Sequence, residues 1–291
     1  MDLVDKAIMR LQTASEMSLQ VYGKPLIITD SGGKDSSVLV DLAIKAKIPI
    51  EIQHSHTTAD APETVYFVRE KFKRLEADGY KVQINKPRYK GEPTSMWSLI
   101  PLKLMPPTRL ARYCCDVLKE QGGKERMIAT GVRWAESISR STNRGIYETI
   151  GTKRGNYIIL ANDNDDRRQL FENCKLKAKR VVNPIIDWTD TDVWEYIRSE
   201  NIPHNPLYDC GWERVGCIGC PMAGRKGRLF EFAQYPKYEN QYRLAFARLV
   251  EARKARGKDD SGTAWETAES MFNWWMEDKN LDGQINLFDT E

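Results

Sequence analysis

Apolar positions recur at helical spacing over residues 3–20, and Gly23 ends the run. Residues 25–29 (PLIIT) are short and apolar, as a buried strand requires. From Asp35 to Lys47 the helical period returns, with Val38, Leu39, Leu42, Ala43 and Ala46 on one face. Strand-like runs follow at 48–56, 81–86, 125–132 and 179–186, and helical segments lie between several of them, notably at 63–77 and 110–121. This alternation predicts an α/β fold, a doubly wound and mostly parallel sheet with helices on both faces. Residues 141–178 are polar, without period, and read as a long loop or insertion. Residues 228–277 are helical and aromatic in pattern, and the final stretch, KNLDGQINLFDTE, reads as a flexible tail.

Composition changes this picture little. The chain has 291 residues, 41% hydrophobic and 29% charged, enough for one large α/β domain with an appendage. No apolar run approaches the ~18–20 residues of a membrane span. The first residues, MDLVDKAIMRLQ, are amphipathic and carry acids, unlike a signal or transit peptide, so a cytoplasmic protein is expected. A net charge of +3 neither demands nor excludes nucleic acid. Six cysteines point to metal binding, catalysis or free thiols rather than disulfides.

The chemistry begins directly after the first short strand, at SGGKDSS (31–37). Gly32 and Gly33 let the backbone turn so that successive N–H groups face an anion. Ser31, Ser36 and Ser37 offer hydroxyls, Lys34 a charge, and the next helix its positive end. Walker A spacing is absent, because Asp35 follows Lys34. A turn closed by a Ser/Asp helix cap is the plain alternative. In doubly wound sheets, ligands bind beyond the carboxyl ends of the strands, where this segment falls.

The segment resembles the PP-loop of the adenine nucleotide α-hydrolase superfamily, and more narrowly the phosphoadenosine phosphosulfate (PAPS) reductase family, over about residues 20–225. The resemblance implies a PP-loop, HUP-like nucleotide domain with a cysteine-rich segment over 1–225, a helical extension over 226–278 and a tail over 279–291. It further implies ATP with Mg²⁺, cleaved between the α- and β-phosphates. Ser31, Gly32, Gly33, Ser36 and Ser37 would hold the pyrophosphate. Lys34 would neutralise charge, and Asp35 would help order Mg²⁺. TTADAPETVYFVRE (57–70) resembles the family's second strand-to-helix turn, with Pro62 and Glu63 in the first helical turn. His56, Thr57 and Thr58 stand where many members carry Asp-Thr-Gly. GVRWAESISR (131–140) matches Gly-x-Arg-x-x-Glu-Ser-x-x-Arg. There Arg133 would stabilise the transition state, Glu136 would orient it, and Arg140 would assist in nucleotide binding. Surface ion pairing is the alternative for these charges.

Cys114 and Cys115 are adjacent, and Cys217 and Cys220 form a Cys-x-x-Cys flanked by glycine. This pairing resembles the 4Fe-4S site of adenylyl-sulfate (APS) reductases and of the DNA phosphorothioation ATP pyrophosphatases, with zinc or free thiols as alternatives. Lys119 and Arg214 flank the thiols and could offset cluster charge. DWTDTDVWEYI (187–197) reads as a capped helix, with Trp188, Trp194 and Tyr196 in the core. Cys174 and Cys210 read as idle thiols, with persulfide carriage as the alternative for Cys210. QINLF resembles sliding-clamp peptides, anchored by Gln284, Leu287 and Phe288, while KPRYK (86–90) and GRKGR (224–228) are basic.

Together these readings predict an iron–sulfur, ATP-using enzyme that activates an acceptor for sulfur transfer. The acceptor would be a DNA phosphate or an RNA base, and the sulfur donor a protein such as a cysteine desulfurase. Sulfonucleotide reductases resemble one another in a C-terminal Glu-Cys-Gly-x-His, and no cysteine follows Cys220 here. APS or PAPS reduction to sulfite therefore ranks second. A non-catalytic nucleotide-binding subunit recruited to DNA is the alternative from another class.

Overall fold

The computed structural model describes residues 2–119, 125–150, 157–160 and 179–277. In chain order it begins with α1 (Leu3–Tyr22), β1 (Leu26–Thr29), α2 (Lys34–Lys45), β2 (Ile50–Ser55), α3 (Pro62–Ala77) and β3 (Lys81–Asn85). A small hairpin, β4 (Arg88–Tyr89) with β5 (Glu92–Pro93), precedes α4 (Met96–Lys103) and α5 (Tyr113–Leu118). Then come β6 (Met127–Ala129), α6 (Ile138–Asn143), β7 (Tyr147–Ile150), β8 (Tyr157–Leu160), β9 (Lys179–Val182) and α7 (Asp190–Ser199). The last described helices are α8 (Gly224–Gln234), α9 (Pro236–Ala255) and α10 (Ala268–Met276). Among the described residues, no helix is long and apolar enough to cross a membrane.

Contacts divide the chain into two compact units. One comprises Met1–His56, Ala61–Lys86 and Glu120–Gly216; the other Thr57–Asp60, Pro87–Lys119 and Cys217–Glu291. The division differs from a cut along the chain at residue 225, because segments 57–60 and 87–119 group with the C-terminal helices.

The first unit is built on a seven-stranded sheet of order β3-β2-β1-β6-β9-β7-β8. Strands β3, β2, β1, β6 and β9 run parallel. Leu26, Ile27 and Ile28 of β1 are buried, as a central parallel strand covered on both faces requires. Leu11 and Met17 of α1 and Leu39 and Leu42 of α2 belong to the same apolar core. Asp2 caps α1 at its start, accepting from Val4 N–H at 2.6 Å, and Gly23 ends it in the left-handed region at φ 62°. The chain leaves β1 to build β2 and β3 on one side, then returns to build β6 on the other. The loops after β1 and β6 therefore flank the point where strand order reverses, the place where such sheets bind ligands.

The expectation of a long loop over 141–178 is corrected in part. Strand β7 pairs antiparallel with β9, and β8 with β7, extending the sheet. The polar character of β7 hid it. Buried Glu148 sits mid-strand, accepting from Arg144 Nε at 2.8 Å and from Asn183 Nδ2 at 2.7 Å.

The second unit is packed around aromatic rings. Tyr242 of α9 lies 4.8 Å from Trp275 of α10 and 5.0 Å from Trp97 of α4, centroid to centroid. The fully buried Arg228 stacks 4.6 Å from the Trp275 ring and donates to the Trp275 carbonyl at 2.8 Å.

Candidate functional site

In the first unit, the loop between β1 and α2 is organised by an acid the motif does not contain. Asp30 is buried, and its Oδ1 accepts from Gly32 N–H at 2.8 Å and lies 2.9 Å from Ser36 Oγ. Its Oδ2 pairs with Lys71 Nζ of α3 at 2.6 Å, and Lys71 also reaches Ser37 Oγ at 3.2 Å. Burial opposes the charge, but Lys71 and the loop's donors hold the Asp30 carboxyl below the usual range. Ser31 N–H donates to Ser36 Oγ at 3.2 Å, which closes the turn.

Gly32 adopts φ +77°, and a Cβ there would meet Val68 Cγ2 at 2.8 Å and Thr64 Cγ2 at 2.9 Å. Buried Asn205 donates to the Gly32 carbonyl at 3.1 Å and to Thr64 Oγ1 at 3.0 Å. Helix α2 starts at Gly33 with no side-chain cap, so its positive end is aimed at the crevice. From the other side, Gly131 after β6 lies so close to α2 that a Cβ would meet the Asp35 carbonyl at 3.1 Å.

Four charges line this crevice in alternating sign. Lys34 Nζ lies 3.0 Å from Asp190 Oδ1, and Arg133 Nη2 reaches the same oxygen at 3.0 Å. Arg133 Nε bonds Asp35 Oδ1 at 2.7 Å, and Lys34 N–H donates to Tyr208 Oη at 3.0 Å. Arg133 is buried, whereas the Asp190 side chain is 62% exposed at the start of α7. Burial pushes the Asp35 carboxyl up, against the pull of Arg133 and Lys34. Burial also acts on Asp190, but Lys34 and Arg133 outweigh it and hold that carboxyl low. Burial raises the Tyr208 phenol to about 12, keeping it a neutral donor or acceptor at neutral pH.

The structure thus brings Ser31, Gly32, Gly33, Lys34, Asp35, Ser36, Ser37 and Arg133 together. Glu136 does not orient the Arg133 guanidinium as expected. It accepts from the Arg133 backbone N–H at 3.0 Å and forms an ion pair with Arg140, while Asp35 and Asp190 hold the guanidinium. Glu63 lies in the first turn of α3. Sequence reading passed over Asp30, Lys71, Asp190, Asn205 and Tyr208. Only Asp30, directly before the motif, carried a local signal. DWTDTD announced its capped helix, with Thr189 as N-cap accepting from Asp192 N–H and Asp192 accepting in return from Thr189 N–H, but not that Asp190 would face the crevice.

All four paired cysteines fall in the second unit. Cys217 is buried and Cys114, Cys115 and Cys220 are half-buried. A hydrogen bond between the two thiols, with burial, pushes the Cys114 thiol up, and the same hydrogen bond pulls Cys115 down, helped by Arg112, whose Nη2 lies 3.4 Å from Cys115 Sγ. Charge on Cys217, then on Asp60, Cys115 and Cys220, raises Lys119. Cys217 Sγ lies 3.3 Å from Thr57 Oγ1. Gly219, at φ +73°, packs so tightly that a Cβ would meet Phe232 and Tyr242 at 2.6 Å. Cys210 is exposed in the first unit, and Cys174 lies outside the described residues.

Comparison with known proteins places this architecture. The family profile of the phosphoadenosine phosphosulfate reductase domain matches residues 25–223. The chain belongs to that family. Within it, the adenosine 5'-phosphosulfate reductase of Oceanobacillus iheyensis is 28% identical over 216 residues, 70% of this chain and 75% of its own. An uncharacterized protein of Methanocaldococcus jannaschii is 28% identical over 244 residues, covering 84% of this chain, and the chain spans only 50% of that relative's length. Among solved structures, the PAPS reductase of Candida auris aligns at 21% identity with a TM-score of 0.42, covering 74% of this chain and 93% of its own. For a member of the PAPS reductase domain family, an adenine nucleotide or a nucleotide-like molecule is the expected ligand.

Proposed function

We propose that the chain is an ATP-using enzyme of this family that holds Mg²⁺-nucleotide at the β1–α2 loop and transfers the adenylyl group to an acceptor. The observation that carries this reading is the alternating row Lys34, Asp190, Arg133, Asp35. A bare sulfonucleotide is an anion and gains nothing from two carboxylates in its crevice. A polyphosphate with its cation needs both signs: Lys34 and Arg133 for phosphate oxygens, Asp35 and Asp190 for the metal or its waters. An acceptor oxygen attacks the α-phosphorus, the bond to the α–β bridging oxygen breaks, and pyrophosphate leaves. Lys34, Arg133 and the α2 amides stabilise the charge that grows on the leaving oxygen.

The cysteine set in the second unit fits an iron–sulfur cluster. The adjacent Cys114 and Cys115 beside a distant Cys217-x-x-Cys220 depart from the spacing of two to four residues usual for structural zinc, which favours a cluster. Cys114, Cys115, Cys217 and Cys220 would be its ligands, and Arg112 and Lys119 would offset its charge. Such a cluster, when bound, supplies electrons or an iron site for sulfur.

The second reading is sulfonucleotide reduction, favoured by the kinship to APS reductases. Nothing in the site or the relatives supports the nucleic-acid, sulfur-donor or sliding-clamp expectations, and Gln284, Leu287 and Phe288 lie outside the described residues. Anaerobic calorimetry with a non-hydrolysable ATP analogue and Mg²⁺, then with APS and PAPS, decides between the readings. Tighter, Mg²⁺-dependent binding of the ATP analogue is expected. Preference for APS or PAPS overturns the proposal and installs the reductase. Binding without pyrophosphate release from ATP, across candidate acceptors, would favour a non-catalytic nucleotide-binding subunit.

A further inference from the structure

A cavity of about 780 Å³ opens in the first unit between α7 and residues 204–213. It shares two residues with the phosphate crevice. Asp190 presents its carboxylate to Lys34 and Arg133, and Tyr208 takes the Lys34 amide on its hydroxyl while its ring lines the cavity. Whatever fills the cavity therefore lies beside the phosphates. Its walls are aromatic: Trp194 stands edge-on to Tyr208 at 5.2 Å, and Trp212 is buried in the lining. Three acids stand in the lining: Asp190 is held by Lys34 and Arg133, Asp209 pairs with His204 at 2.9 Å, and Glu213 is exposed, with Arg198 as a further cation of the wall.

Ring faces attract planar groups and positive charge, and carboxylates accept from N–H donors. From this geometry we infer that the cavity is the acceptor site, and that it takes a planar heterocycle bearing an exocyclic amine. The ring packs against Trp194 and Tyr208, and the amine donates to Glu213 or Asp209, as amino-bearing bases do to acidic side chains. The inference rests on the adenylyl-transfer reading for its role, though not for its ligand chemistry.

The test is calorimetric titration of the full chain with cytidine, and with uridine as the carbonyl-bearing control, with and without saturating non-hydrolysable ATP analogue. Cytidine is expected to bind both forms and uridine at least tenfold more weakly. Glu213→Gln, an exposed and structurally undemanding change, is expected to weaken cytidine about five- to tenfold with the ATP analogue unaffected. Equal affinity for cytidine and uridine overturns the amine assignment. Mutual exclusion of cytidine and the analogue would mean that the cavity houses the nucleotide's own base, and overturns the acceptor assignment. If the analogue fails to bind while cytidine binds and Glu213→Gln weakens it, the adenylyl-transfer reading falls and the cavity's ligand class stands.

Discussion

The two candidate sites are assembled in opposite ways. The phosphate crevice takes its loop from one contiguous stretch, 31–37, and sets it at the reversal point of a rigid parallel sheet. The thiol site is drawn from two separate segments, Cys114 and Cys115 from a six-residue helix and Cys217 and Cys220 from a turn held against Phe232 and Tyr242. In the first, opposite charges already neutralise one another, Lys34 and Arg133 against Asp35 and Asp190. In the second, the four thiols share one unit with two cations, Arg112 and Lys119, and burial pushes the Cys217 thiol up.

The strongest way to break this comparison is Cys217→Ser. Iron and sulfide content is expected to fall to near zero with nucleotide affinity unchanged, read by metal analysis and calorimetry. Zinc retained at one equivalent in the parent protein would undo the iron reading.

Asp30→Asn comes next. It leaves Lys71 without its anion and removes the acceptor that shapes the loop, at a cost of about 3–5 kcal/mol in urea unfolding. Its pH dependence has a definite sign. Because the folded Asp30 pKa is lowered below 3.8, its stabilisation is complete above that value and disappears as pH falls through the folded pKa. Parent stability should drop more steeply on acidification below about pH 4 than that of the variant. Asp35, raised by burial, works the other way, costing stability as pH climbs through the unfolded pKa toward its folded one.

Arg133→Ala should slow adenylyl transfer by about 10²–10³-fold, with Arg133→Lys recovering part of it. An equal loss in both, with normal analogue affinity, would restrict Arg133 to structure. The smallest effect is expected for Glu63→Gln, about 0.3–1 kcal/mol through the α3 dipole, in thermal unfolding. A large loss of nucleotide affinity would promote Glu63 to a ligand-contacting residue.

What sequence revealed follows from locality. SGGKDSS carries strand end, turn and helix start within seven residues, so the strand–turn–helix and the candidate anion site were legible there. Lys71 and Asp190 were not, because nothing near them tells which carboxylate or ammonium they will meet; their partners, Asp30 and Lys34, lie far away in the chain. Strand β7 escaped for another reason. Its buried Glu148 is satisfied by Asn183 and Arg144, and a buried acid in a four-residue strand looks like a loop until its partners are seen. The cysteine spacing named a ligand set, but only the fold put all four thiols in one unit.

Gly131 sets a limit on how this protein can be remade. A Cβ added there would stand 3.1 Å from the Asp35 carbonyl and 3.2 Å from Ser36 N, so a side chain at 131 would have to push the β6 loop and α2 apart by a few tenths of an ångström. An engineer seeking new chemistry would leave residues 30–37 and 131 untouched and diversify the rim instead, at Trp194, Asp209, Trp212 and Glu213, where side chains rather than main chain set the shape.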